Sequence, residues 1–192
     1  MDRNLSGRRR AEAGFTLIDT LMTVAIFGII AAMAVPLMKG MSDTMLLAQG
    51  AREVERELQG ARLKAVTSNR PLRVRFNCPA AGQYRMVEYT ATTADTAADR
   101  CTQAKYPYPP TDRDPVTLPN QDGPIRQLNK KLSFATSVKA LEFEPDGSVR
   151  IDNGGTGAWS PVTGTPGATV TVMKGTTTKS VTVNGLGKIQ IQ

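Results

Sequence analysis

Between Phe15 and Met38 the chain reads FTLIDTLMTVAIFGIIAAMAVPLM, 24 residues with no lysine or arginine and a single carboxylate. As a helix this run spans about 36 Å, enough to cross a hydrocarbon core of about 30 Å. Arg3, Arg8, Arg9 and Arg10 precede it, and the residues before Phe15 carry a net charge of +2. By the positive-inside rule this keeps residues 1–14 cytoplasmic and sends the remainder across the membrane. Ala32-Met33-Ala34 has the form of a signal-peptide cleavage site, but it lies inside the apolar run rather than after it. On topology alone the segment is a single-pass anchor.

Two residues inside the run ask for more than an anchor. Asp19 places an ionisable group among apolar ones, a costly position that calls for a cationic partner. Pro36 removes a helical hydrogen bond near the far end and invites a kink.

Composition narrows the chemistry. Histidine is absent from the 192 residues, which removes serine–histidine and cysteine–histidine catalysis and every histidine-containing zinc site. Two cysteines exclude a four-cysteine cluster. The Gly154-Gly155-Thr156-Gly157 stretch lacks the flanking strand and helix of a phosphate loop. The reading is a non-enzyme without a cofactor or metal. The net charge of +7 favours anionic surfaces, whether headgroups, nucleic acid or acidic partners.

Past the membrane segment, Leu47, Ala51, Val54, Leu58, Ala61 and Ala65 alternate at spacings of four and three, one apolar face of a helix. Gly40, Gly50 and Gly60 weaken that helix, and Ser68-Asn69-Arg70-Pro71 ends it. A strand at Pro71–Phe76 turns Leu72, Val74 and Phe76 inward and Arg73 and Arg75 outward. It pairs with Tyr84–Tyr89 across Pro79–Gly82. Residues 91–128 hold six prolines and read as a long surface insertion. Strands resume at 138–143, 148–151, 168–173, 180–183 and 188–191, with turns at Asp146-Gly147, Lys174-Gly175 and Asn184–Gly187 and a Gly/Thr-rich loop at 152–167. Cys78 and Cys101 lie on the translocated side, where thiols oxidise, and a bridge between them contributes roughly 3 kcal/mol. A redox or metal role is the second reading, for which the spacing is unsuited.

Gly14-Phe15-Thr16-Leu17-Ile18, with Asp19 and Pro36, closely resembles the N-terminus of type IV prepilins and of the pseudopilins of type II secretion. The resemblance implies cleavage by a prepilin peptidase between Gly14 and Phe15 and N-methylation of Phe15. It makes Asp19 and Pro36 the fifth and twenty-second mature residues, filament-assembly positions where the family usually has glutamate and proline. Aspartate keeps the charge that pairs with a neighbour's amine, one methylene short. Ala61-Arg62 with Ala65, Arg70-Pro71-Leu72-Arg73-Val74 and Leu141–Gly147 further resemble the head of GspH/FimT minor pilins and pseudopilins.

These resemblances imply an α+β, type IV pilin-like fold, a long helix packed on antiparallel sheets. The expected organisation is a leader at 1–14, a transmembrane segment at 15–38, an amphipathic helix at 39–67 and a β-rich head at 68–192 with the 91–128 insertion. They imply a minor pilin of a type IV pilus that initiates, primes or caps the filament. Its partners are other pilins, the prepilin peptidase and the inner membrane of a Gram-negative bacterium, with the head in the periplasm. A type II secretion pseudopilin is the alternative. A third reading is DNA uptake: FimT-like pilins are associated with a C-terminal Gly-Arg-x-Arg loop, and Gly187-Lys188-Ile189-Gln190 stands at the corresponding place, with Lys174, Lys179, Lys130 and Lys131 as further cations. Lysine lacks the bidentate fork of arginine, and the second cation is replaced by glutamine.

Overall fold

The computed structural model describes residues 15–89, 98–101, 108, 122–135, 138–152 and 158–192. One helix, α1, runs Leu17–Ser68. Ten strands follow among the described residues: β1 Leu72–Phe76, β2 Gln83–Glu88, β3 Ile125–Gln127, β4 Ser133–Phe134, β5 Ala140–Phe143, β6 Val149–Asp152, β7 Ser160–Pro161, β8 Ala168–Lys174, β9 Thr177–Val183 and β10 Ile189–Ile191. The chain forms two compact units that divide between Ser42 and Asp43.

In the first unit the described helical side chains are exposed, Leu17, Val24, Phe27 and Met33 among them. The apolar span here is long enough to cross a membrane. The helical backbone continues through position 36.

The second unit is an α+β head. Its strands form a six-stranded sheet, ordered β3-β2-β1-β5-β6-β7, and a four-stranded sheet, ordered β10-β9-β8-β4. Every strand pairing is antiparallel. The stripe Leu47, Ala51, Val54, Leu58, Ala61 and Ala65 is buried, as its spacing requires, in one core with Val74 and Leu141 of the first sheet and Val172 and Val181 of the second. Phe134 of β4 joins the sheets, its ring centroid 5.1 Å from that of Phe76 and 5.7 Å from that of Tyr84. Gly50 lies where α1 comes closest to the loop before β4. A Cβ there would stand 2.5 Å from Leu132 Cδ1, so the approach needs glycine or a displaced leucine.

The helix stops at Ser68 for a local reason. Asn69 takes the left-handed conformation (φ 50°), the Arg70 N–H donates to Ala65 O at 3.2 Å and the Asn69 N–H to Val66 O at 3.4 Å. These two bonds form a Schellman motif, with Pro71 just beyond to prevent continuation.

The structure corrects three expectations. Arg73 is only 4% exposed, although it lies on the face of β1 opposite Leu72 and Val74. The insertion is not simply surface: Arg100, Cys101 and Asp122 are all buried. It also contains β3, and the loop expected at 152–167 contains β7. The physical reason is common to all three. The outer face of the six-stranded sheet is covered by the turn at Ala98–Cys101, by residues near 122 and by Trp159, forming a polar layer in place of solvent.

Candidate functional site

Three places carry the functional expectations: the start of α1, the disulfide region and the C-terminal turn. Gly14 lies outside the described residues. Phe15 is exposed, and Thr16 precedes the first turn of α1. The Thr16 hydroxyl donates to Asp19 Oδ2 at 2.6 Å and the Thr16 N–H to the same oxygen at 3.3 Å, while the Asp19 N–H donates back to Thr16 Oγ1 at 3.4 Å. This is a capping box: two orphan donors of a helix start are satisfied reciprocally, and the carboxylate sits at the positive end of the helix dipole. Sequence reasoning passed over Thr16. The signal was present, a threonine three residues before an acid at the head of an apolar run.

Cys78 and Cys101 are disulfide-bonded with Cα atoms 5.0 Å apart. The bridge ties the end of β1 to the short turn Ala98–Cys101, where Arg100 is fully buried. Arg100 Nε and Nη2 donate to both oxygens of Asp122 at 2.9 and 2.7 Å, and Nη2 also donates to Glu88 O at 2.7 Å. Arg85, equally buried, donates to Gly123 O at 2.8 Å and Arg100 O at 2.9 Å. The disulfide thus anchors a charge-satisfied cover for the sheet.

Lys188 is exposed on the turn between β9 and β10. With Gln59, Arg62, Leu63, Val66, Gly187 and Ile189 it lines a groove of about 440 Å³ between α1 and β10. Arg62 Nη2 donates to Leu186 O at 3.2 Å, which holds this guanidinium beside the turn. Gly187 adopts φ 73°, and a Cβ there would lie 2.6 Å from Arg62 Nε, so glycine is required twice over. Lys174 is elsewhere, at the end of β8 and paired with Asp43. Asp43 and Arg62 are about 28 Å apart along the helix, so Lys174 and Lys188 do not form one patch. Lys179 is half-buried on β9 opposite Val172, nearer to Lys174 than to Lys188. Lys130 and Lys131 are exposed in the turn before β4.

A membrane-length apolar helix and an α+β head of antiparallel sheets packed on one long helix make up a type IV pilin-like fold. The chain belongs to the GspH family: the model of the type II transport protein GspH matches residues 50–187, and the family is one of structural minor pilins and pseudopilins. Among solved structures, the chain is similar to the type IV minor pilin FimU of Pseudomonas aeruginosa, at 13% identity over 76% of this chain and 92% of that one, with a TM-score of 0.45. It is also similar to the minor pseudopilin EpsH from the type 2 secretion system of Vibrio cholerae, at 14% identity over 76% and 95%, with a TM-score of 0.44. No curated protein matches this chain.

Proposed function

We propose that this chain is a minor pilin of a type IV pilus, inserted in the inner membrane of a Gram-negative bacterium by residues 15–38, its head in the periplasm. It is cut by prepilin peptidase after Gly14, methylated at Phe15 and placed in the complex that primes or caps the filament. The observation that supports this reading is the first unit of α1: a membrane-length apolar surface, exposed in the isolated chain, which lipid or the helices of other pilins would cover. Both Thr16 donors converge on Asp19 Oδ2, so Oδ1 can accept from the amine of a neighbouring subunit.

The test is the amount of sheared surface pili from a clean deletion strain, beside wild type and a complemented strain. A sharp fall that complementation reverses supports the reading. Unchanged pili overturn it in favour of a pseudopilin of type II secretion, the reading the family's own description favours. A DNA-uptake role rests on Arg62 standing beside Lys188, which supplies a second cation where Gln190 replaces arginine.

A further inference from the structure

β10 is an edge of the four-stranded sheet, paired among the described residues with β9 alone. In that ladder the Asn184 N–H donates to Lys188 O at 3.1 Å and the Gln192 N–H to Ser180 O at 2.8 Å, with Gln190 opposite Thr182 between them. Bonded residues alternate along an antiparallel pair, so Lys188, Gln190 and Gln192 turn their backbone groups toward β9. The N–H and C=O groups of Ile189 and Ile191 therefore point the other way, and they have no partner among the described residues. Such edges are commonly blunted, as Pro161 blunts β7 at the end of the other sheet, but β10 contains no proline.

The groove of about 440 Å³ along α1 reaches this edge at Ile189. Its helical wall carries Leu63 and Val66, 64% and 49% exposed, and Leu186 in the adjoining turn is 78% exposed. Apolar surface gathered around one concave place marks an interaction site, whereas scattered exposure does not. The charge around it is mixed. Arg62 and Lys188 are cationic, Asp146 precedes the Gly147 against which Arg62 lies, and Glu55 shares a helix face with Gln59 one turn earlier.

We propose that β10 and this groove receive an extended segment of a different pilin-type subunit, which adds a strand antiparallel to β10 and sets apolar side chains against Leu63, Val66 and Ile189. The kind of partner rests on the assembly reading above, and the strand mode on the edge itself. Only an extended chain brings N–H and C=O groups at strand spacing, since a helix uses its own internally. With the charge mixed, backbone pairing and apolar contact select the occupant. A second copy is the wrong partner. Lys174 at the end of β8 pairs with Asp43, and Arg62 bonds to Leu186 O beyond the end of β9, so β9 runs with α1 and β10 runs against it. Two β10 strands joined antiparallel would set two α1 helices in opposite directions, whereas anchors in one membrane run the same way.

The test is made in cells carrying the full chain. The photo-crosslinker p-benzoylphenylalanine replaces Val66 in the groove wall, and adducts formed on irradiation are identified by mass spectrometry. The expected adduct is with another pilin-type chain, linked through one extended segment. Ile191→Pro removes an outward N–H while leaving the bonds to β9, and should lower the yield about fivefold, the loss of one hydrogen bond. Ile191→Val keeps that N–H and should preserve the yield. Should Ile191→Pro fail to fold by circular dichroism, Leu63→Asp, an exposed position, carries the test and should lower the yield likewise. An adduct between two copies, an adduct with nucleic acid, no adduct, or equal yields from Ile191→Pro and Ile191→Val would each overturn the proposal. Amide hydrogen exchange of the purified chain in detergent checks the edge without a partner: Ile189 and Ile191 should exchange fast, Gln190 and Gln192 slowly. Protection of all four means that the chain covers its own edge, and the proposal is wrong. Surface pili that vanish on deletion, with no adduct, leave the pilus reading standing and remove this one. Unchanged pili with an adduct to a type II secretion pseudopilin do the reverse.

Discussion

Arg73 and Glu142 face each other across the β1–β5 register, and Arg73 Nε donates to Glu142 Oε2 at 2.5 Å with the two side chains 5% and 2% exposed. Both charges have left water, and their pairing offsets the desolvation of each. Removing one partner alone strands the other. Glu142→Ala should therefore lower the unfolding free energy by about 3–5 kcal/mol in a denaturant titration. A loss within 1 kcal/mol would mean that the rings of Tyr89 and Trp159 around Arg73, not the ion pair, hold this face together.

Tyr84 gives the head an alkaline limit. Its hydroxyl donates to Glu53 Oε1 at 2.9 Å, and burial first, then this bond and the negative charge of Glu53, push its pKa well above the usual tyrosine value. The folded state therefore keeps a proton that the unfolded chain releases once the pH passes about 10. The stabilisation is complete below that pH and is lost as pH rises further. Tyr84→Phe should be less stable than wild type at pH 7 by about 1 kcal/mol, the loss of one hydrogen bond. The gap should narrow as pH rises from 9.5 to 11.5. Parallel stability curves over that range would show that Tyr84 ionises without opening the head.

The glycines of α1 separate by what surrounds them. Gly60 has open space at its Cβ position, so Gly60→Ala should raise stability by up to about 1 kcal/mol through helix propensity alone. Gly50→Ala gains the same propensity but drives a methyl group into Leu132, and should cancel or reverse the gain. Thermal midpoints of the two variants, measured side by side, decide this. Equal stabilisation by both would show that Leu132 moves aside freely.

Reduction of Cys78–Cys101 releases a loop with a sequence separation of 23 and should cost roughly 3 kcal/mol, by the entropy returned to the unfolded chain. The Cys78→Ser and Cys101→Ser double variant should match the reduced wild type. A much larger loss in both would show that the buried Arg100–Asp122 pair depends on the bridge for its position.

How far the sequence disclosed this arrangement depended on periodicity. The stripe from Leu47 to Ala65 and the hairpin turns at Asp146-Gly147 and Lys174-Gly175 were legible because a helix repeats every 3.6 residues and tight turns need particular residues. Alternation on β1 separated Arg73 and Arg75 from the core side but could not say whether the second face meets water. What covers it comes from residues 98–101, 122 and 159, which have no period. Strands β3, β4 and β7 are two or three residues long, too short to show alternation. Pro161 argues against a strand and is tolerated only because β7 is a sheet edge. At the candidate sites, the cysteines and Asp19 drew attention by chemistry, whereas Arg62 and Trp159 acquire meaning only through neighbours distant in sequence.

Asp19 separates a helix cap from an assembly contact. As the acid of the capping box it serves its own chain through Thr16; in the assembly role proposed above it would instead pair with the amine of the next subunit. Asn can still accept hydrogen bonds from Thr16 but carries no charge, so the two roles respond differently to Asp19→Asn. If the charge matters, Asp19→Asn should insert in the membrane and be processed as wild type is, yet fall at least tenfold in the sheared pilus fraction, while Asp19→Glu is retained. Immunoblots of membrane and sheared fractions provide the measurement. If Asp19→Asn reaches the filament at wild-type levels and Thr16→Ala does not, the carboxylate acts within its own chain, and the pairing with a neighbouring amine is wrong.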